Sequence, residues 1–194
     1  MEKHIPYRFA KDQRGLVLAD ASLFEQLKQR NYRLEKFFNV YVLSLSESAS
    51  TTALSTGLRV TLVNPKEREL WLQTVARGFS EQDVLTPEML KMIAPTLHSE
   101  SAKCFLAWVD GNPAGGGAML LHEGVAKLCS GSTRLMFRKR GVQTALLNAR
   151  LAAAREAGCD LAHTLVSPAN SASQRNVERT GFRLAYTKAV MVKE

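Results

Sequence analysis

The sequence predicts an α/β fold, a mixed central sheet with helices on both faces. Three observations carry this. Two helical stretches open the C-terminal two-thirds, and a strand meander follows around Asp110-Gly111-Asn112-Pro113. The chain then alternates strand–helix–strand–helix–strand to its end. A pattern of this kind buries the strands of one sheet between helical layers. With 194 residues, 45% of them hydrophobic, the chain can hold one full domain and an extension.

The elements follow in order. Ala21 to Arg30 suits a helix and Tyr32 to Leu45 a strand, and residues 46–57 read as a Ser/Thr-rich linker without apolar periodicity. Residues 1–45, 46–57 and 58–194 are therefore expected to be an N-terminal piece, a linker and the main domain. Leu58 to Val63 alternates as a strand. Pro65 to Phe79 suits a helix burying Leu70, Trp71, Val75 and Phe79. Pro87 to Leu97 suits another, with Met89, Leu90, Ile93 and Leu97 on one face. Cys104 to Val109 and Ala114 to Leu121 flank the strong turn signal. The run Gly115-Gly116-Gly117 after that turn reads as a bulge or a close backbone approach rather than a phosphate loop. Val125 to Thr133 is the central strand.

The stretch from Arg138 to Gly158 is the most informative in the chain. A basic turn with one glycine runs into an alanine-rich amphipathic helix, in which Val142, Ala145, Leu146, Ala149, Ala152 and Ala153 share a face, and Gly158 stands at its stop. The unpaired N–H groups and positive dipole end of such a helix start attract phosphate oxygens. Gly141 lets the backbone approach them, having no β-carbon in the way. Read alone, the same residues could be a solvated cap. Neither a P-loop nor a three-glycine dinucleotide fingerprint is present. Leu161 to Val166 then reads as a buried strand. Asn170 and Ser171 can cap a short helix, Gln174 standing at capping-box spacing from Ser171. Phe182 to Val192 is extended.

This order, RxxGxx–helix–strand–NxxS…GF–strand, resembles the GNAT superfamily of acyl-CoA-dependent N-acyltransferases from about Leu58 onward. Arg138 and Gly141 match the pyrophosphate signature, with Gln143 where the family has Gly or Ala. Asn170, Ser173 and Gly181-Phe182 match the second block. The resemblance implies a coenzyme A site made of Ser132, Thr133, Arg134, Leu135, Arg138, Lys139, Arg140, Gly141, Val142, Gln143, Thr144, Ala145, Asn170, Ser173 and Asn176. It implies that backbone N–H groups of Ser132 to Leu135 bind the pantetheine arm and thioester oxygen, as an oxyanion hole would. The implied activity is transfer of acetyl from acetyl-CoA to a primary amine by direct attack. The alternative is an acyl-CoA-binding sensor or assembly domain without turnover. Many members place a tyrosine four residues before Gly-Phe to protonate the leaving thiolate. Here that position is Val177. Glu123 and His122 are candidate bases by position, their bland reading being an exposed turn pair. Ser173, Asn176, Tyr186 or water is left to assist the leaving group, the bland reading of Tyr186 being packing between the last strands.

An internal echo marks the N-terminal piece. Leu27 to Val42 aligns without gaps to Val177 to Val192 at an offset of 150, with Arg33, Leu34, Val40 and Val42 recurring as Arg183, Leu184, Val190 and Val192. The piece reads as the tail of a first GNAT-like repeat. It is too small to bury a core alone, so it should pack on the main domain or on another subunit, as in a homodimer.

Composition bounds the rest. The net charge of +8 invites nucleic-acid binding, but no nucleic-acid module or interleaved aromatics accompany Arg134, Arg138, Lys139, Arg140, Arg150 and Arg155, and an anionic cofactor accounts for the same charge. The expected partner is a small-molecule or peptide amine. Met1 to Phe9 lacks a signal-peptide apolar run, and no stretch approaches a membrane helix. Cys104, Cys129 and Cys159 form no CxxC pair and read as reduced thiols in a cytoplasmic protein. No histidines stand at metal-ligand spacing, so no metal is expected.

Overall fold

The computed structural model describes residues 21–46 and 56–193. The elements are α1 (Ala21–Gln29), β1 (Tyr32–Ser44), β2 (Leu58–Leu62), α2 (Arg68–Phe79), α3 (Pro87–His98), β3 (Ala102–Val109), β4 (Asn112–His122), β5 (Val125–Thr133), α4 (Val142–Glu156), β6 (Leu161–Val166), α5 (Ser171–Arg179) and β7 (Arg183–Lys193). Seven strands form one sheet in the order β2-β3-β4-β5-β6-β1-β7. Only β5 and β6 run parallel, joined by the α4 crossover, so the sheet is mixed as expected.

Alternation along β3 divides the core between the two faces. Phe105 and Ala107 point to one side with Met119, Ala126, Leu128 and the α4 residues Leu146, Leu147 and Leu151. Cys104 and Leu106 point to the other, against Trp71, Val75 and Ala76 of α2 and Ile93 of α3. Burying a side chain of this size contributes roughly 1.5–3 kcal/mol, so both helical layers are needed. Three details differ from the sequence expectation. Phe79 and Ala152 are exposed, and the buried face of α4 is turned toward Leu147, Leu151, Ala154 and Arg150. At α5 it is Asn170 that caps, its Oδ1 accepting from Ser173 N at 3.0 Å, while Gln174 Nε2 donates to the carbonyls of Ser167 and Pro168. A Ser171–Gln174 capping box does not form, because the preceding turn uses Gln174.

The glycine run behaves as a close approach. A β-carbon at Gly115 would lie 2.5 Å from the Ser132 carbonyl oxygen, at Gly116 2.7 Å from Val75 Cγ2, and at Gly117 2.9 Å from Arg150 Cζ.

Of the N-terminal piece, β1 is part of the sheet. β1 lies between β6 and β7 and is antiparallel to both. Tyr41 Oη also donates to Glu178 Oε1 of α5 at 2.8 Å. The pairing of β1 with β7 is close to two-fold. Phe38 faces Lys188, its partner at the 150-residue offset, and the two register shifts leave out Glu35 on one strand and Ala185 on the other, again 150 apart. Most of the linker, residues 47–55, lies outside the described residues.

Candidate active site

The site is organised by a gap in the sheet. β5 and β6 pair from Val125–Leu161 to Leu128–Thr164 and no further, although both strands continue. Thr164 Oγ1 donates to the Leu128 carbonyl at 3.1 Å and marks the last rung. Just beyond, Ser130 and Gly131 together oppose Gly117 in a bulge, with Ser130 at φ 51°. An extra residue on one strand bends it and breaks its ladder, which is what separates β5 from β6.

A guanidinium holds the bulge from below. Arg150, which the sequence placed in a surface charge cluster, is 2% exposed. Its Nε donates to the Leu146 carbonyl at 2.9 Å, and one terminal nitrogen donates to the carbonyls of Ala118 at 3.3 Å and Cys129 at 3.2 Å. Burial lowers its pKa to about 10, still charged at neutral pH.

At the C-terminal end of β5 the chain passes through a short turn, Leu135–Phe137, into the start of α4. Gly141 takes the left-handed conformation, φ 78°, that glycine adopts without strain. Side chains cap α3 (Thr86) and α5 (Asn170), but none caps α4. Its first intrahelical bond is Ala145 N to Gly141 O, leaving the N–H groups of Val142, Gln143 and Thr144 ahead of that bond. Val142 and Ala145 are buried, Gln143 half-buried, and Thr144, Lys139, Arg140 and Arg138 exposed. Arg140 pairs with Asp110 at 2.7 Å. Thr133 Oγ1, at the end of β5, is buried and has no hydrogen-bond partner among the described residues. An uncapped helix start beside basic side chains, a strand gap and an orphaned hydroxyl together fit a phosphorylated, amide-containing arm.

Other expected members of the site stand differently. Ser132 Oγ donates to the Val75 carbonyl at 2.9 Å and is buried. The Arg134 N–H bonds the Ala114 carbonyl at 2.9 Å, and its side chain clasps Asp83 at 2.7 and 3.1 Å, so Arg134 serves structure first. That clasp holds the Asp83 carboxyl below the usual carboxylate range. Leu135 is an exposed apolar side chain in the turn. Asn170, Ser173 and Asn176 sit on α5, where Asn170 is the cap and Asn176 accepts from Thr180 Oγ1. Val177 is buried in the core, where it offers no acid.

Glu123, the expected base, stands in the turn that joins β4 and β5. It is exposed there at φ 46°, and the strand from Val125 to Leu128 rises about 10 Å from that turn to the last rung. A base must reach its proton within hydrogen-bond distance or through one water, and Glu123 stands at the turn end of β5, away from the point where β5 and β6 part. Glu123 and Tyr186 both line a cavity of about 730 Å³ on the sheet face opposite α4, with His122 and Glu123 at its turn end and Val40, Val42, Lys127, Leu161 and His163 along it. His163 was not singled out from the sequence. It stands on β6 one residue before the last rung.

The Acetyltransferase (GNAT) family model matches residues 68–182, more than half of the chain. The chain belongs to the GNAT acetyltransferase family. No curated protein matches the sequence. Among solved structures it is similar to a GCN5-related N-acetyltransferase from Kribbella flavida, with TM-score 0.66, 15% identity, and coverage of 88% of this chain and 63% of that one. A GCN5-related N-acetyltransferase from Sphaerobacter thermophilus gives 0.65 and 17%, over 91% of this chain and 57% of that one. AAC(6')-Iy in complex with the bisubstrate analog CoA-S-monomethyl-acetylneamine gives 0.56 and 20%, over 71% of this chain and 97% of that one. The chain thus spans about three-fifths of the length of the first two. At these identities the likeness establishes the GNAT fold, a seven-stranded mixed sheet flanked by helices. Among the described residues no helix is long and apolar enough to cross a membrane.

Proposed function

We propose that this GNAT chain transfers acetyl from acetyl-CoA to a primary amine by direct attack within a ternary complex. The observation that carries the reading is the gap between β5 and β6 opening beside the uncapped, basic start of α4. The donor's pyrophosphate would lie on the N–H groups of Val142, Gln143 and Thr144 with Arg138 and Lys139 nearby, and its arm would enter the gap past Thr133. The thioester supplies an already activated carbonyl, so the protein's work is to hold a neutral amine against it. Backbone donors at the bulge, kept in place by Arg150, would face the oxygen on which charge develops. Release of free thiol from acetyl-CoA over a panel of amines tests the reading. Turnover with a subset of amines is expected, and tight binding without turnover on any amine would leave an acyl-CoA-binding domain instead. The three unpaired thiols, two of them buried, suit a reducing compartment such as the cytoplasm.

We also infer that α1–β1 is the end of a first GNAT-like repeat. The shared offset of the sequence echo, the Phe38–Lys188 pair and the two bulges supports this. Under this reading β1 completes the sheet that β6 and β7 would otherwise leave interrupted.

A further inference from the structure

The cavity opposite α4 has a composition the proposed reaction can use. Its walls are apolar, from Val40, Val42 and Leu161, and its upper end carries Lys127 and His163. These two are paired across β5 and β6, with backbones about 4.8 Å apart, immediately below the Leu128–Thr164 rung. Lys188 approaches from β7, two residues from Tyr186 on the same face. Burial and the charges of Lys127 and Lys188 hold the His163 ring below its ordinary pKa. Three cationic or potentially cationic groups thus meet at this end, His163 and Lys188 half-buried and Lys127 exposed. Among the described residues none of them stands in an ion pair, while Glu123 lines the far end by the turn. What would complete this end is an anion.

We propose that the cavity binds the acceptor, that the acceptor is an apolar amino acid with its carboxylate between Lys127 and Lys188, and that His163 is the proton acceptor. The inference rests on the acetyltransferase reading above. The apolar side chain would run down the cavity along Val40, Val42 and Leu161, and the amine would sit beside His163, facing the gap. Taken through the reaction, the ammonium gives one proton to a ring nitrogen of His163. The nitrogen lone pair then forms the C–N bond to the thioester carbon. The C–S bond breaks, and the sulfur leaves with its electron pair. The second amine proton passes to that sulfur, giving free thiol and the N-acetyl amino acid, and protonated His163 returns its proton to solvent. A ring whose pKa burial and the two lysines hold below its ordinary value is neutral at pH 7 and ready to accept.

The test compares L-phenylalanine, L-phenylalaninamide and phenethylamine as acceptors, with acetyl-CoA binding measured separately by calorimetry. Phenylalanine should exceed both carboxylate-free amines in kcat/KM by at least about tenfold, and Lys127→Ala should abolish that preference. His163→Gln should lower kcat about hundredfold with acetyl-CoA affinity unchanged. In Lys127→Ala the acid limb of the pH–rate profile should also move to higher pH, as removing a neighbouring cation lets the ring hold its proton longer. Equal or better use of the carboxylate-free amines would overturn the acceptor assignment, as would no acetylation of any of the three by a protein that binds acetyl-CoA. Retention of full rate by His163→Gln would overturn the proton role. Failure of the wild type to bind acetyl-CoA would instead strike the acetyltransferase reading itself.

Discussion

Replacing Gly116 by alanine separates a packing glycine from a phosphate-binding one. The backbone at Gly116 lies outside the left-handed region, so the substitution adds no conformational strain of its own. Space is the problem. The new methyl would sit 2.7 Å from Val75 Cγ2, 3.1 Å from Trp71 Nε1 and 3.2 Å from the Phe105 carbonyl oxygen. None of these neighbours yields easily. Phe105 O is backbone in a central strand, and Trp71 Nε1 is hydrogen-bonded to that oxygen at 3.1 Å and to the Gly117 carbonyl at 3.3 Å. Val75 is fully buried on α2. Helix α2 would have to back away from the sheet. Overpacking of this kind costs about 1–3 kcal/mol, and a central value of about 2 kcal/mol lowers Tm by roughly 4–8 °C in a chain of this size. Urea denaturation and a thermal melt measure the loss, and calorimetry measures acetyl-CoA affinity on the same sample at a temperature where the variant is folded. Stability should fall while affinity stays within twofold. A variant as stable as wild type but unable to bind acetyl-CoA would refute the reasoning and make the glycine run part of the donor site.

Other consequences are as direct. Asp83→Asn keeps the side-chain shape and a residue type that tolerates the φ of 57° at this position, but loses the charged clasp on Arg134. It should cost about 1 kcal/mol at pH 7. Because the folded pKa of Asp83 is lowered, its contribution is complete above the ordinary carboxylate range and disappears as pH falls through the folded value. The gap between wild type and variant should therefore close on acidification, and a gap that widens in acid would contradict the assignment. Tyr186→Phe should leave kcat within about twofold, since the ring lines the cavity wall and no step needs its hydroxyl, whereas a hundredfold loss would make Tyr186 a participant. Limited proteolysis followed by mass spectrometry should leave residues 32–44 attached to the folded core, because β1 is hydrogen-bonded on both sides. Early digestion of that segment with the rest intact would show that β1 is not part of the sheet.

The elements were legible because local pattern decides them. Period-two alternation marks β2, a short apolar run marks β6, helical spacing marks α3 and α4, and Asp110-Gly111 marks the hairpin, where both residues take positive φ. Neighbours in the sheet were not legible in the same way. The 150-residue echo revealed that α1–β1 resembles α5–β7, but local sequence carries no trace of β1 inserting between β6 and β7, since strand order is fixed by contacts more than 100 residues apart. The uncapped start of α4 could be read because a glycine, basic residues and a helix start are contiguous. The cavity proposed for the acceptor is scattered over β1, β5, β6 and β7, strands that sequence spacing cannot bring together. His163 had one faint signal: within Leu161-Ala162-His163-Thr164-Leu165-Val166 it shares a phase with Leu161 and Leu165, a polar ring among apolar neighbours on one face. Arg150 was misread for a related reason. Charge composition cannot reveal that a helix turns one arginine into the sheet, where strand carbonyls freed by a bulge can receive it.

The central claim is that the start of α4 binds the phosphates of an acyl-CoA. Calorimetric titration of acetyl-CoA into the wild type and a Gly141→Asp variant tests it most directly. Aspartate tolerates the left-handed conformation better than most residues, so the fold should survive, and circular dichroism on the same samples verifies that. The side chain places bulk and a negative charge where the pyrophosphate would lie. Micromolar binding by the wild type that the substitution abolishes is the expected result. Equal binding by both proteins would place the donor elsewhere, and no binding by the wild type would contradict the claim outright.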